Sequence, residues 1–385
     1  MPVPLPAPGE EKLTRPDAAE VDLIARGFAT ASAPPAGLTD LQRLLIEALC
    51  PALTEHPVDL AEYRPITPEE FAEGLRLRTL EFRTRGVQMM VLCALVLRPL
   101  PVAVAERVER FAGALGVEEG MVGVARRFAT GALGLAALDF DRNGYTAGWH
   151  PDDAAMLHTT SGLQDAWDVD VADPELARRW ADLEALAPGT LGRRVVEMYR
   201  SRGFAYPGLP GSAPPLLAQH DWVHVVADYG TTVESEIEVF AFVARANDDM
   251  RAFSLLAMVV SLFETGYLRT GAGLFQSDVG HLSQGRAMTT RLADALRRGA
   301  WCHDRVTGQD SIDFLRVDWF ALADLPVEEV RDRFGVRPKT AEARAAGSVG
   351  LCEAGGISPF QMTAGRALAE RDGRPYDAYG ATLEP

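Results

Sequence analysis

Between Leu216 and Phe240 the chain reads LLAQHDWVHVVADYGTTVESEIEVF, and four side chains in it have metal-binding chemistry: His220, Asp221, His224 and Glu236. Imidazole nitrogen and carboxylate oxygen are the donors that divalent ions of the zinc class take readily. His220 and His224 are one helical turn apart, so on a helix they point within roughly 40° of each other. Asp221 flanks that face. Gly230 and the two threonines after it can break the helix and turn the chain back. A second helical run from Val233 to Ala246 then carries Glu236 to the same ion. The plain alternative is a set of solvated or capping residues on an ordinary helix. The added Asp221 and Glu236 favour the metal. Three or four protein ligands can leave a position for water or substrate, where the ion acts as a Lewis acid.

His-Asp-x-x-His, eleven residues and then Glu resembles the signature of the Coq-four family of ubiquinone biosynthesis. Pro188-Gly189-Thr190-Leu191-Gly192-Arg193 followed by Arg202-Gly203-Phe204 is similar to that family's Gly-Thr-Leu-Gly helix start. Asp318-Trp319-Phe320-Ala321-Leu322 and Pro326 to Arg331 are similar to its closing helix. The resemblance covers roughly residues 155–340. It implies an all-helical, zinc-binding domain that decarboxylates a prenylated quinone precursor oxidatively, replacing a ring carboxyl by hydroxyl. It also implies lipid binding within a complex of other biosynthetic proteins, with room for a peripheral membrane contact. There are departures: Ser235 where the family has Gly, Val195 where it has Tyr, and about twenty extra or rebuilt residues around Cys302 to Ile312. They leave the metal set intact and bear on which substrate is used.

Three other readings of the same residues stand beside this one. HDxxH is similar to the HExxH of metallohydrolases, but Asp is one methylene shorter than Glu and reaches metal-bound water poorly. A non-enzymatic lipid-binding scaffold would use the ion only to tie two helices together. A relative recruited to another aromatic or polyketide-like molecule would keep the metal and change the substrate.

The elements that must position these residues are helical, and the fold class expected is all-α in two domains. The chain has 385 residues, 47% of them hydrophobic, enough for two sizeable cores. A net charge of −16 argues against general attraction to nucleic acid. The cluster Arg291, Arg297 and Arg298 could still recognise one anionic group. Cys50, Cys93, Cys302 and Cys352 show no CxxC spacing, which argues for a reducing interior. MPVPLPAPGEE has neither a basic region nor an apolar run, so a cytoplasmic protein is expected rather than a secreted one. A homodimer is left open.

Residues 1–20 read as a tail, 21–145 as an N-terminal helical bundle, 155–340 as the metal-binding domain and 341–385 as a C-terminal tail. The bundle is similar, in pattern alone, to tellurite-resistance-type helical modules. Its helices are expected from near Asp22, after Thr39, from Pro68 to about Thr84, over Gln88–Leu97, over Val102–Leu115 and over Glu119–Leu138. Ala252–Phe263 is too short to span a bilayer and reads as a core helix, or with Val223–Val226 as a wall of a groove for a prenyl tail. Asp139 to Gly144 opens like a calcium loop, but His150 stands where a bidentate Glu is needed, so a polar turn is expected. Cys302 beside His303 reads as structural, since sequence neighbours point to opposite sides of an element.

Overall fold

Short polar residues followed three positions later by Glu or Gln mark helix starts, because each side chain can satisfy the other's free backbone N–H. The computed structural model describes residues 16–118, 120–133, 145, 155–159, 172–268 and 279–378. In it, Asp17 with Glu20 opens α1 (Ala18–Ser32), and Thr39 with Gln42 opens α2 (Asp40–Thr54). Thr67 with Glu70 opens α3 (Pro68–Gly74). The single helix expected from Pro68 to about Thr84 is interrupted. Gly74 lies against Leu23 so closely that a Cβ there would sit 2.3 Å from Leu23 Cδ2, and Thr79 caps a new helix, α4 (Leu80–Leu95), through the Phe82 N–H. α5 (Val102–Leu115) matches its expected span, and α6 (Gly120–Ala129) follows.

The chain continues through α7 (Pro174–Asp182), α8 (Leu191–Arg202), α9 (Pro215–Ala227) and α10 (Val233–Ala246). Then come α11 (Phe253–Phe263), α12 (Arg286–Ala300), α13 (Val327–Arg333), α14 (Ala341–Ala345) and α15 (Pro359–Arg371). Among the described residues every regular element is helical, and isolated bridges pair Thr190 with Pro326 and Asp304 with Gln309. None of the described helices is long and apolar enough to cross a membrane. The calcium-like turn from Asp139 to Gly144 lies outside the described residues.

The helices form two compact units that are not contiguous in sequence. The first comprises Met1–Gly148, Asn247–Thr270 and Ser277–Arg297; the second comprises Trp149–Ala246, Gly271–Gln276 and Arg298–Pro385. This division differs from the one drawn on the sequence, because α11 and most of α12 join the N-terminal helices. In the first unit α4 is buried from Met89 to Leu95, and Gln88 donates to the Met250 carbonyl at 2.7 Å.

In the second unit an aromatic core forms around Trp222, with Trp180 at 5.2 Å and Trp319 at 6.2 Å between ring centroids. Thr190 does not cap α8 with its side chain; its hydroxyl donates to the Ala187 carbonyl at 2.8 Å. The first N–H groups of α8 donate instead to the carbonyls of Leu325 and Ala323. The C-terminal tail carries a helix, α15. α15 packs on α8 so tightly that a Cβ at Gly365 would lie 2.0 Å from the Ser201 carbonyl oxygen. Arg298 is not part of a surface cluster: it is buried, stacks over the Tyr229 ring at 4.8 Å and donates to the Ala227 carbonyl.

Candidate metal centre

The site lies on the hairpin of α9 and α10, inside the second unit. Pro214 and Pro215 set the start of α9, where a missing N–H costs nothing. The helix ends at Asp228 in the left-handed region (φ 57°), and the chain reverses through Gly230. The tight reversal brings the first turn of α10, with Glu236, back against the inner face of α9.

All four expected side chains are buried, and they converge. His220 Nε2 lies 3.2 Å from Glu236 Oε2 and 3.5 Å from Asp221 Oδ1. His224 Nε2 lies 3.2 Å from Glu236 Oε1. One donor atom each from His220, Asp221 and His224 falls within a span of 4.8 Å. Glu236 thus offers one oxygen to each histidine.

The two imidazoles are oriented from behind. His224 Nδ1 is 2.7 Å from the Gly230 carbonyl, and His220 Nδ1 bonds to the Leu217 carbonyl one turn back. A carbonyl only accepts, so each Nδ1 carries a proton, and the Nε2 atom of each ring is turned inward. Both Nε2 atoms face carboxylate oxygens, which only accept, and the 3.2 Å contact of His220 Nε2 with Glu236 Oε2 is a hydrogen bond when His220 carries its second proton. His224 Nε2, fully buried, makes no hydrogen bond of sound geometry. Without a proton on those nitrogens the cluster is all acceptors, and it calls for either protons or a cation among them.

Proton binding shows the same demand. Burial opposes a charge on His220, but Asp221 and Glu236 outweigh it and hold its pKa up at about 9. Burial opposes a charge on Glu236 too, yet the two histidines bring it down to about 2. Asp221 is raised, chiefly by burial, against the pull of the histidines. The donor set therefore fits a divalent ion. Ligands 2.0–2.1 Å from a tetrahedral zinc stand about 3.3 Å apart, comparable to the 3.2–3.5 Å between the histidine nitrogens and the carboxylate oxygens here.

Sequence reading missed Tyr199. Its phenol, one turn after Val195 on α8, donates to Asp221 Oδ2 at 2.5 Å, and burial first, then the Asp221 charge, raises its own pKa well above the ordinary value. No short motif links residues 199 and 221, so only the packing of α8 on α9 exposes the pair. The Phe240 ring, 4.9 Å from that of His220, closes one wall. The segments offered as groove walls, Val223–Val226 and Leu255–Phe263, belong to different units, and nearly all of their side chains are buried. Cys302 is buried, which pushes its thiol up to about 12, and His303 Nδ1 bonds to the Trp301 carbonyl at 3.0 Å. That pair is structural.

Fold and site together define an all-helical protein with a buried two-histidine, two-carboxylate cluster on a helical hairpin. No protein-family model matches the chain, and no curated protein matches it. Among solved structures it is similar to a proposed ubiquinone biosynthesis protein from Nostoc punctiforme PCC 73102. The identity is 20%, over 66% of this chain and 97% of that one, with a TM-score of 0.30. At that score the likeness carries no argument about fold or chemistry.

Proposed function

We propose that this chain is a metal-dependent protein that acts on an aromatic, quinone-type precursor, with His220, His224, Glu236 and Asp221 holding a zinc-class ion. One observation carries the metal: two imidazole Nε2 atoms and two carboxylates, all buried, converge, and His224 Nε2 among them is left without a hydrogen bond. The substrate class rests on the resemblance of the His-Asp-x-x-His…Glu hairpin and its flanking segments to the Coq-four signature. When bound, the ion supplies Lewis acidity toward a phenolate or carboxylate oxygen on the ring.

The chain's own residues do the rest. The Leu217 and Gly230 carbonyls fix both imidazoles with Nε2 inward. Tyr199 holds Asp221 at the edge of the cluster. Burial keeps bulk water away. The reaction proposed is loss of the ring carboxyl as carbon dioxide and its replacement by a hydroxyl from dioxygen. The second oxygen atom leaves as water, with two electrons from a partner reductant.

A second reading is favoured by the depth of the site, since His224 is 0% and Glu236 3% exposed. Structural metal sites are closed, so the ion could serve only to tie α9 to α10 in a lipid-binding scaffold. Metal analysis of the purified protein, followed by product analysis of cells carrying His220→Ala or Glu236→Ala, tests both. Metal near one equivalent, with a folded variant that fails to convert the aromatic acid, supports the first reading. Variants that unfold on losing metal, with turnover absent even from the intact protein, support the second. Metal-free wild-type protein from metal-replete medium overturns both.

A further inference from the structure

The Gly230 carbonyl that orients His224 lies on a turn held by residues far away in sequence. Gly230 N–H donates to the Val349 carbonyl at 3.2 Å, and Thr231 N–H donates to the Gly356 carbonyl at 2.8 Å. The two backbones touch: a Cβ at Gly230 would lie 2.6 Å from Gly356 Cα. Gln361, in the first turn of α15, donates to the Thr231 carbonyl at 2.8 Å and accepts from the Thr231 hydroxyl at 2.9 Å. Arg202, at the end of α8, donates through Nε to the same hydroxyl at 3.0 Å and through Nη2 to the Leu351 carbonyl at 3.0 Å.

Arg202 is 0% exposed, and its hydrogen bonds go to hydroxyls and carbonyls. Enclosing a guanidinium without a carboxylate partner is expensive, and a turn needing only mechanical support could use an apolar side chain of similar volume. What the guanidinium supplies is a rigid fork of donors that joins the C-terminal segment to the turn. Gln361 repeats the pattern from the other side, with both ends of its amide on Thr231.

We infer that Arg202 and Gln361 are positioning residues for the metal centre, acting through Thr231 and Gly230 on the orientation and tautomer of His224. The C-terminal segment from Val349 to Gln361 is then a clasp on the site. The inference rests on the proposed metal-binding reading and adds to it the residues that set the affinity. Partners behind a ligating histidine commonly govern metal affinity by 10–100-fold. These act one bond further out, so about a tenfold loss is expected.

The test uses full-length Gln361→Glu, which keeps its size and its acceptor for the helix cap, and Arg202→Lys, which keeps the charge without the fork. Thr363→Ala, exposed on the same helix, is the control. Cobalt(II) serves as the probe, with affinity read by chelator competition and coordination by the visible ligand-field bands. The nitrogen-15 shifts of His224 report its tautomer in the metal-free protein. Either folded variant should bind cobalt about tenfold more weakly, with shifted bands and a mixed His224 tautomer, while the control matches wild type. Variants with wild-type affinity, bands and shifts overturn the inference and leave the metal reading standing. A wild-type protein that takes up no cobalt overturns both.

Discussion

His224 Nδ1 lies 2.7 Å from the carbonyl oxygen of Gly230, six residues ahead on the turn that joins the two helices of the hairpin. That contact settles which ring nitrogen faces the cluster before any ion arrives. An ion therefore meets lone pairs already aligned, and little orientational entropy remains to be lost on binding.

Tyr199→Phe removes the hydroxyl that holds Asp221 and leaves the ring in its aromatic packing against Trp180. Losing a buried hydrogen bond to a charged group costs about 1–3 kcal/mol. Metal affinity should fall about 10-fold or more. Chelator competition and thermal denaturation measure the two effects. An unchanged affinity would show that Asp221 needs no such support.

Metal uptake should release a proton. In the metal-free protein His220 holds its proton up to about pH 9, so between pH 7 and 9 an ion must displace it. Affinity should rise about tenfold per pH unit in that window and level off above it. Titration calorimetry in buffers of differing ionisation enthalpy counts the proton directly.

The same shift makes a prediction about stability. The folded-state pKa of His220 is raised from 6.5 to about 9, so its contribution is fully present below pH 6.5 and lost as the pH climbs through 9. About 3 kcal/mol is at stake. Metal-free protein should therefore melt progressively lower from pH 6.5 to 9. Metal-loaded protein, whose His220 no longer titrates, should not. Parallel melting curves for the two forms would contradict this.

Gly365→Ala should be costly although alanine favours helix. The new methyl would meet the Ser201 carbonyl oxygen at 2.0 Å and push α15 off α8. A loss of about 1–3 kcal/mol is expected, as for other overpacked interiors. Gly373→Ala is not a neutral comparison because of its positive φ (63°), so Thr363→Ala serves as the reference. Denaturant unfolding of the two variants decides the point.

Thiol labelling of the native protein should modify one cysteine. Cys352 is exposed, whereas Cys50, Cys93 and Cys302 are buried; burial raises the pKa of all four thiols, that of Cys352 to about 11, so access decides which one reacts. Mass spectrometry after brief alkylation would locate the adduct. Rapid labelling at Cys302 would reopen the case for a nucleophile there.

What the sequence made legible was local. The pairs Thr39 with Gln42 and Thr67 with Glu70 announce helix starts because capping acts over three residues. His220, His224 and Glu236 could be placed together because a helical turn and a short reversal govern their spacing. The break between Gly74 and Thr79 was hidden, since Gly74 there packs against Leu23, some fifty residues earlier, a contact no local pattern reveals. Tyr199 and the bonds of Arg202 and Gln361 to Thr231 were hidden for the same reason. The apolar run in α11 reads as core from its composition, but composition does not say which of two cores receives it.

The interleaving of the two units constrains how the chain can be made. Its first unit needs residues as late as Arg297, and its second needs α15, which ends at Arg371. During synthesis neither can close until most of the polypeptide has left the ribosome, so nascent helices must wait, partly bare, for strangers to arrive. Cutting near residue 150 would not yield a free-standing half. It would strand α11 and α12 with no home, and dissection of this protein calls for side-chain replacement instead of truncation.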